Sequence, residues 1–188
     1  FEEFNLKLQK LVALVYGTDE LLQDATALNG WIMQNLPEEL RLMAELGVFS
    51  GTGVGQMQGI IGANCTVSVT KEAAQPADTV VAENIVKMWA RRWVRDGNYA
   101  WYVNQDVTPQ LHLMNIASGT AGQLVYMPAG GLSGSPYGTL YGAPVIETEY
   151  NSTVGTAGDI ILANFGQYQA IDKGGVQSAE SIHVRFIY

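Results

Sequence analysis

The chain has 188 residues, 47% of them hydrophobic, and a formal net charge of -8 with a pI near 4.6. That is enough apolar chain for one sizeable core or two small lobes, and the composition excludes a disordered segment. The acid excess excludes gripping nucleic acid over a broad basic face, and the single cysteine, Cys65, excludes an internal disulfide or a thiolate metal cluster. No apolar run is long enough to span a bilayer, and the N-terminal FEEFNLKLQK lacks the basic start and apolar core of a signal peptide.

In chain order, residues 5–16 (NLKLQKLVALVY) alternate like a strand, Leu6 and Leu8 facing away from Lys7 and Gln9, with an apolar end suited to burial on both faces. A helix is predicted over 18–46. Thr18 is its N-cap, and Asp19 and Glu20 sit where the helix dipole favours acids. Leu21, Ala25, Leu28, Ile32, Leu36, Leu40 and Met43 recur at steps of three and four, the stripe of an amphipathic helix. Pro37 predicts a kink or restart near Leu36, and Gly47 a C-terminal stop.

A glycine-rich loop follows, FSGTGVGQMQG at 49–59, then a turn leading into a short strand across 59–70 and a polar linker at 71–78. A second helix is predicted over 79–95, with Val81, Ile85, Met88, Trp89 and Trp93 toward a core and Asp96-Gly97-Asn98 ending it. AWYVNQ (100–105) reads as a strand. Asp106 or Thr108 caps a short helix with Pro109 in its first turn, and residues 115–122 form a small polar loop. Strands are expected within 123–127, 139–150 and 159–165, and another begins in 181–188. Two long helices among strands, without regular alternation or a fixed-period repeat, make the fold class α+β.

Few residues invite chemistry. The dinucleotide fingerprint needs G-x-G-x-x-G between a strand and a helix. Counting from Gly53 and Gly55 the last glycine is Gln58, and counting from Gly51 it is Gln56. No lysine completes a phosphate loop, so Gly51, Gly53, Gly55 and Gly59 read as a joint between two parts of the chain. His112 and His183 read as structural, and Cys65 as a small buried apolar residue. Glu147 and Glu149 share a strand face but lack further ligands for a metal. Asn151-Ser152-Thr153 matches a glycosylation triplet, yet nothing else suggests secretion. In WARRWVR (89–95), Arg91, Arg92 and Arg95 with Trp89 and Trp93 could stack on bases. The preferred reading is that these arginines meet acids on a neighbouring copy. Taken alone, the residues mark no active site.

Three blocks together resemble the major capsid proteins of tailed bacteriophages and prophages, with the HK97-type fold. They are KLVALVYGTDELLQDATAL (10–28), ELGVFSGTGVGQMQGII (45–61) and TLYGAPVIETEYNSTVGTAGDIILANFGQYQAID (139–172). The resemblance implies a peripheral lobe over 1–51 carrying a long spine helix and an axial lobe over 52–174 with a central sheet flanked by helices. The chain would return to the peripheral lobe at 175–188. It makes Gly51, Gly53, Gly55 and Gly59 the lobe-connecting loop. Asn115, Ser118, Gly119, Thr120 and Gly122 become axial-loop subunit contacts, and Arg91, Arg92 and Arg95 interface charges.

The implied function is a non-enzymatic, cofactor-free subunit that self-assembles into hexamers and pentamers of an icosahedral shell. The shell would enclose DNA without sequence-specific contacts, with scaffolding protein, protease and portal as further partners. The protein would reside in the virion, and in the bacterial host cytoplasm before assembly, without membrane contact. The resemblance also implies an arm and extended loop before the first block and a long strand after Tyr188, so the chain is expected to be a trimmed piece that closes a shell inefficiently. The Lys–Asn cross-link of some relatives is not carried over, since residues 165–188 hold no asparagine. Alternatives are an encapsulin-like compartment shell, a small nucleotide-binding enzyme using the Gly51–Gly59 loop, and a sugar- or tail-binding module of a phage particle.

Overall fold

A computed structural model describes residues 6–15, 25–95, 97–118, 121–124 and 138–174. The chain divides into two units, one made of Phe1–Met43 with Ala170–Tyr188 and the other of Ala44–Gln169. In the first unit, residues 6–15 form no ladder, and Leu8, Leu11, Val12, Leu14 and Val15 are exposed. This corrects the expected strand. Alternation makes a strand only when a partner supplies hydrogen bonds, and no described residue does so.

Helix α1 spans Ala25–Ser50. The predicted cap at Thr18 lies outside the described residues. Pro37 neither stops nor restarts the helix. The carbonyl it deprives of a donor, four residues back, belongs to the exposed Met33, where water can substitute. Gly47 does not end it either. Gly51 N donates to Gly47 O at 2.9 Å and Ser50 Oγ to Leu46 O at 3.1 Å, so the helical pattern runs on to Ser50.

The second unit is built on a mixed four-stranded sheet in the order β4-β5-β1-β6. Here β1 is Ala100–Asn104, β4 Thr139–Leu140, β5 Ala143–Thr148 and β6 Ile160–Ala163. Strand β1 pairs parallel with β5 (Trp101 opposite Val145) and antiparallel with β6 (Trp101 opposite Leu162). The period-2 pleat of β1 sorts its side chains. Trp101 and Val103 point into the main core with Val145, Ala143 and Leu140, under helices α2 (Ala82–Ala90) and α3 (Thr108–Leu113), which contribute Ile85 and Leu111. Tyr102 points the other way, onto Phe49 from the end of α1 and onto Phe165. The sheet is therefore covered on both faces, and the whole is α+β.

Several expectations change. The segment 139–150 is a hairpin and not one strand. Tyr141 and Gly142, at φ 54° and 77°, make the two-residue turn between β4 and β5. Positive φ at both turn positions matches the right-handed twist of the flanking strands. Residues 66–70 form no strand. Helix α2 stops at Ala90, so the periodicity that would have taken Trp93 inward ends before it, and Trp93 is 57% exposed. The short helix is entered through a 3-10 turn, Gln105–Val107, capped by Asn104 Oδ1, which accepts from Asp106 N at 2.9 Å. Neither Asp106 nor Thr108 provides that cap. The polar loop 115–122 is largely an antiparallel ribbon, β2 (Asn115–Ser118) with β3 (Ala121–Leu124), its small residues pairing Ala117 with Gly122. The strand expected from 181 onward lies outside the described residues.

Candidate functional site

The glycine loop leaves α1 and closes on itself. Gly53 N donates to Met57 O at 3.1 Å and Gly59 N to Gly51 O at 2.8 Å, with Thr52 and Gln58 bridged across the neck. Gly53 and Gly55 hold φ of 76° and 69°, open to glycine at no steric cost. A Cβ on Gly51 would overlap Met57 O and Gly47 O, and one on Gly59 would overlap the Gly51 N and Phe49 O. Ile60 N and Ile61 N bond back to Val48 O and Phe49 O. A phosphate cradle needs amides that point outward unpaired. Here the amides of Gly51, Gly53, Gly59, Ile60 and Ile61 are consumed within the chain. All four glycines fall in the second unit. Tyr168 Oη donates to Gln58 O at 3.0 Å, tying the loop to the end of that unit.

Beside the loop lies an aromatic cluster. Phe49 stacks on Tyr150 at 5.7 Å, and Tyr150 Oη donates to Glu45 Oε2 at 2.6 Å. Burial holds the Tyr102 phenol protonated to a higher pH than usual. The polar counterpart is a pair of buried asparagines. Asn104 Nδ2 donates to Asn151 O at 2.7 Å, Asn151 Nδ2 donates to Tyr102 O at 2.8 Å, and Asn151 Oδ1 accepts from Thr148 Oγ1 at 2.6 Å. This network joins the ends of β1 and β5. Asn151 is buried inside it and so is no glycosylation acceptor. Its partners on β1 lie 47 and 49 residues away in sequence, so no local pattern marked that link.

The arginines sit at the end of α2. Trp89 stacks with Trp101 at 6.2 Å and Tyr141 at 5.3 Å, and the Arg92 guanidinium lies 4.0 Å from the Trp89 ring centroid. Arg92 Nη1 also donates to Trp89 O at 2.8 Å. Lys87 pairs with Glu72. Arg91 and Arg95 are exposed, and neither has a carboxylate partner among the described residues.

Of the other sequence candidates, Cys65 is exposed, against the expectation of burial, because it sits in a turn and not in a strand. His112 is half-buried on α3, and His183 lies outside the described residues. Glu147 accepts from Thr108 Oγ1 at 3.1 Å. No group of three or more metal-binding side chains occurs among the described residues. Of the axial-loop residues, Asn115 and Ser118 lie on β2 and Gly122 on β3, while Gly119 and Thr120 are outside the described residues. No helix among the described residues is long and apolar enough to cross a membrane.

The family model described as Phage capsid family matches residues 1–188. Comparison with curated proteins and with solved structures finds no match.

Proposed function

The chain belongs to the phage capsid family, and from that premise we propose that it is an HK97-type subunit that tiles into hexamers and pentamers around packaged DNA. As a major capsid protein it is a structural component of the bacteriophage virion, from a structural, non-enzymatic family. The family match over residues 1–188 is the single observation that carries the reading.

In this reading, residues 1–51 and 175–188 belong to the peripheral lobe, with α1 as its spine, and residues 52–174 to the axial lobe. Gly51, Gly53, Gly55 and Gly59 form the lobe-connecting loop in the same reading, although the division into units falls earlier, within α1, and leaves all four in the second unit. Asn115, Ser118, Gly119, Thr120 and Gly122 line the axial contacts. The grouping of both terminal segments in one unit supports such a discontinuous lobe. Many weak contacts repeated by symmetry then add to a strong shell. Scaffolding protein, protease and portal would act on the subunit in the host cytoplasm before the virion is complete. The paired amides of the glycine loop weigh against the nucleotide-binding alternative.

The test is expression of the intact gene product followed by negative-stain microscopy. Closed shells are expected, and a protein that stays monomeric at every concentration refutes the reading.

A further inference from the structure

Four of the chain's ten cationic residues lie within 87–95, a stretch that contains no acid; the rest of the chain holds all eighteen acids and only six bases. The fold turns this clustering into a surface. Trp93 follows the last turn of α2, and its backbone is clamped by one hydroxyl: Trp93 N donates to Tyr99 Oη at 3.0 Å, and Tyr99 Oη donates to Trp93 O at 3.1 Å. A loop held this way presents an indole that is 57% exposed, with Val94 beside it exposed as well. Arg92 covers Trp89, so its charge is already placed over an aromatic face. Arg91 and Arg95 have no carboxylate among the described residues. An exposed tryptophan on a tethered backbone, flanked by arginine, is the composition of an interface hot spot.

The sheet puts a matching surface at its other end. The arginine patch is anchored at the start of β1, through Tyr99 and the Trp89–Trp101 stack. The strands run parallel, so the far ends of β1 and β5 coincide, and there Asp106, Glu147 and Glu149 are exposed. Glu147 and Glu149 have no cationic partner among the described residues. Both surfaces belong to the second unit, one beside the start of β1 and the other at the end of β5.

We propose that the surface of Trp93, Arg91 and Arg95 docks the Glu147–Glu149 end of a second copy of this chain, head to tail. Two different surfaces meeting in this way generate a ring when the rotation closes. The inference rests on the assembly reading and names one contact within it. Charge complementarity selects a second copy over nucleic acid. A long polyanion lying on this patch would also meet the acidic remainder of the chain, whereas a second copy offers paired carboxylates to a local patch.

The test uses the intact protein, with R91E/R95E, E147R/E149R and the quadruple variant, each shown to be folded by circular dichroism and a thermal melt. Analytical ultracentrifugation should show that each double variant needs at least about tenfold more protein to associate. The equimolar mixture of the two double variants, and the quadruple variant alone, should associate like wild type, because a head-to-tail contact is restored when both of its sides are reversed. Wild-type association with unchanged double variants overturns this contact and leaves the assembly reading standing. A wild-type protein that never associates overturns both. Loss of single-stranded oligonucleotide binding in R91E/R95E, with association unchanged, overturns the proposal in favour of a nucleic-acid surface.

Discussion

Gly51 and Gly30 show how the same residue type takes opposite roles. Gly51 is wedged between two carbonyl oxygens, where a methyl group has no room, while Gly30 has open space around its Cα on a helix. Gly51→Ala is expected to destabilise by about 1–3 kcal/mol through overpacking. Gly30→Ala is expected to stabilise by about 0.5–1 kcal/mol by reducing the freedom of the unfolded chain. Thermal melts of the two variants check both signs. Tyr102 supplies a pH dependence. Burial raises its pKa, so the folded state keeps the proton that the unfolded chain gives up near pH 10. Stability tied to this group is present below about pH 10 and is lost as pH rises through the folded value. In alkaline titrations of stability, Tyr102→Phe should decline less steeply above pH 10 than wild type. An equal slope would mean that Tyr102 is not the group responsible.

At the scale of elements, the central sheet depends on contacts that local patterning does not reveal. Asn151→Ala removes the amide that donates to the Tyr102 carbonyl and the oxygen that accepts from the Thr148 hydroxyl. The bonds lost are part-buried, and net bonds of this kind contribute about 0.5–1.5 kcal/mol each, so a lower midpoint in urea unfolding is the expected result. Helix α2 and strand β1 were legible because apolar spacing names a face: Ile85, Trp101 and Val103 are buried as that spacing predicts. The ends were not legible. Gly47 and Pro37 carry helix-stopping chemistry, yet α1 continues because the Gly51 amide completes its last turn and solvent can satisfy the carbonyl that Pro37 leaves. Trp93 looked like a core residue from spacing alone, and its exposure follows from a helix that ends three residues earlier. Tyr141 gave no turn signal, since a tyrosine at positive φ is unfavourable by itself. Its ring stacks on Trp89, a contact available only once the hairpin forms.

For the whole molecule, charge sets the terms of contact with nucleic acid. A net charge of -8, with only four of the ten cations gathered in one patch, predicts that duplex DNA is not retained by the protein in filter binding at physiological salt. Tight, sequence-independent retention would contradict the proposed shell wall of like charge to packaged DNA. Composition, hydrophobic period and the ordered blocks of the sequence by themselves determined the α+β class, the long helix, the core strand β1 and the capsid family, because these depend on residues near one another or on an ordered pattern. Only the tertiary structure decided which amides of the glycine loop are paired, which tryptophan is exposed, and that the basic segment lies beside the start of β1 while Glu147 and Glu149 lie at the end of β5. The loop amides and the Trp93 exposure turn on which backbone bonds close locally and where α2 ends, which residue types alone do not fix. The placing of the two charged surfaces depends on strand pairing between residues far apart in sequence, such as Trp101 and Val145, which no local spacing encodes.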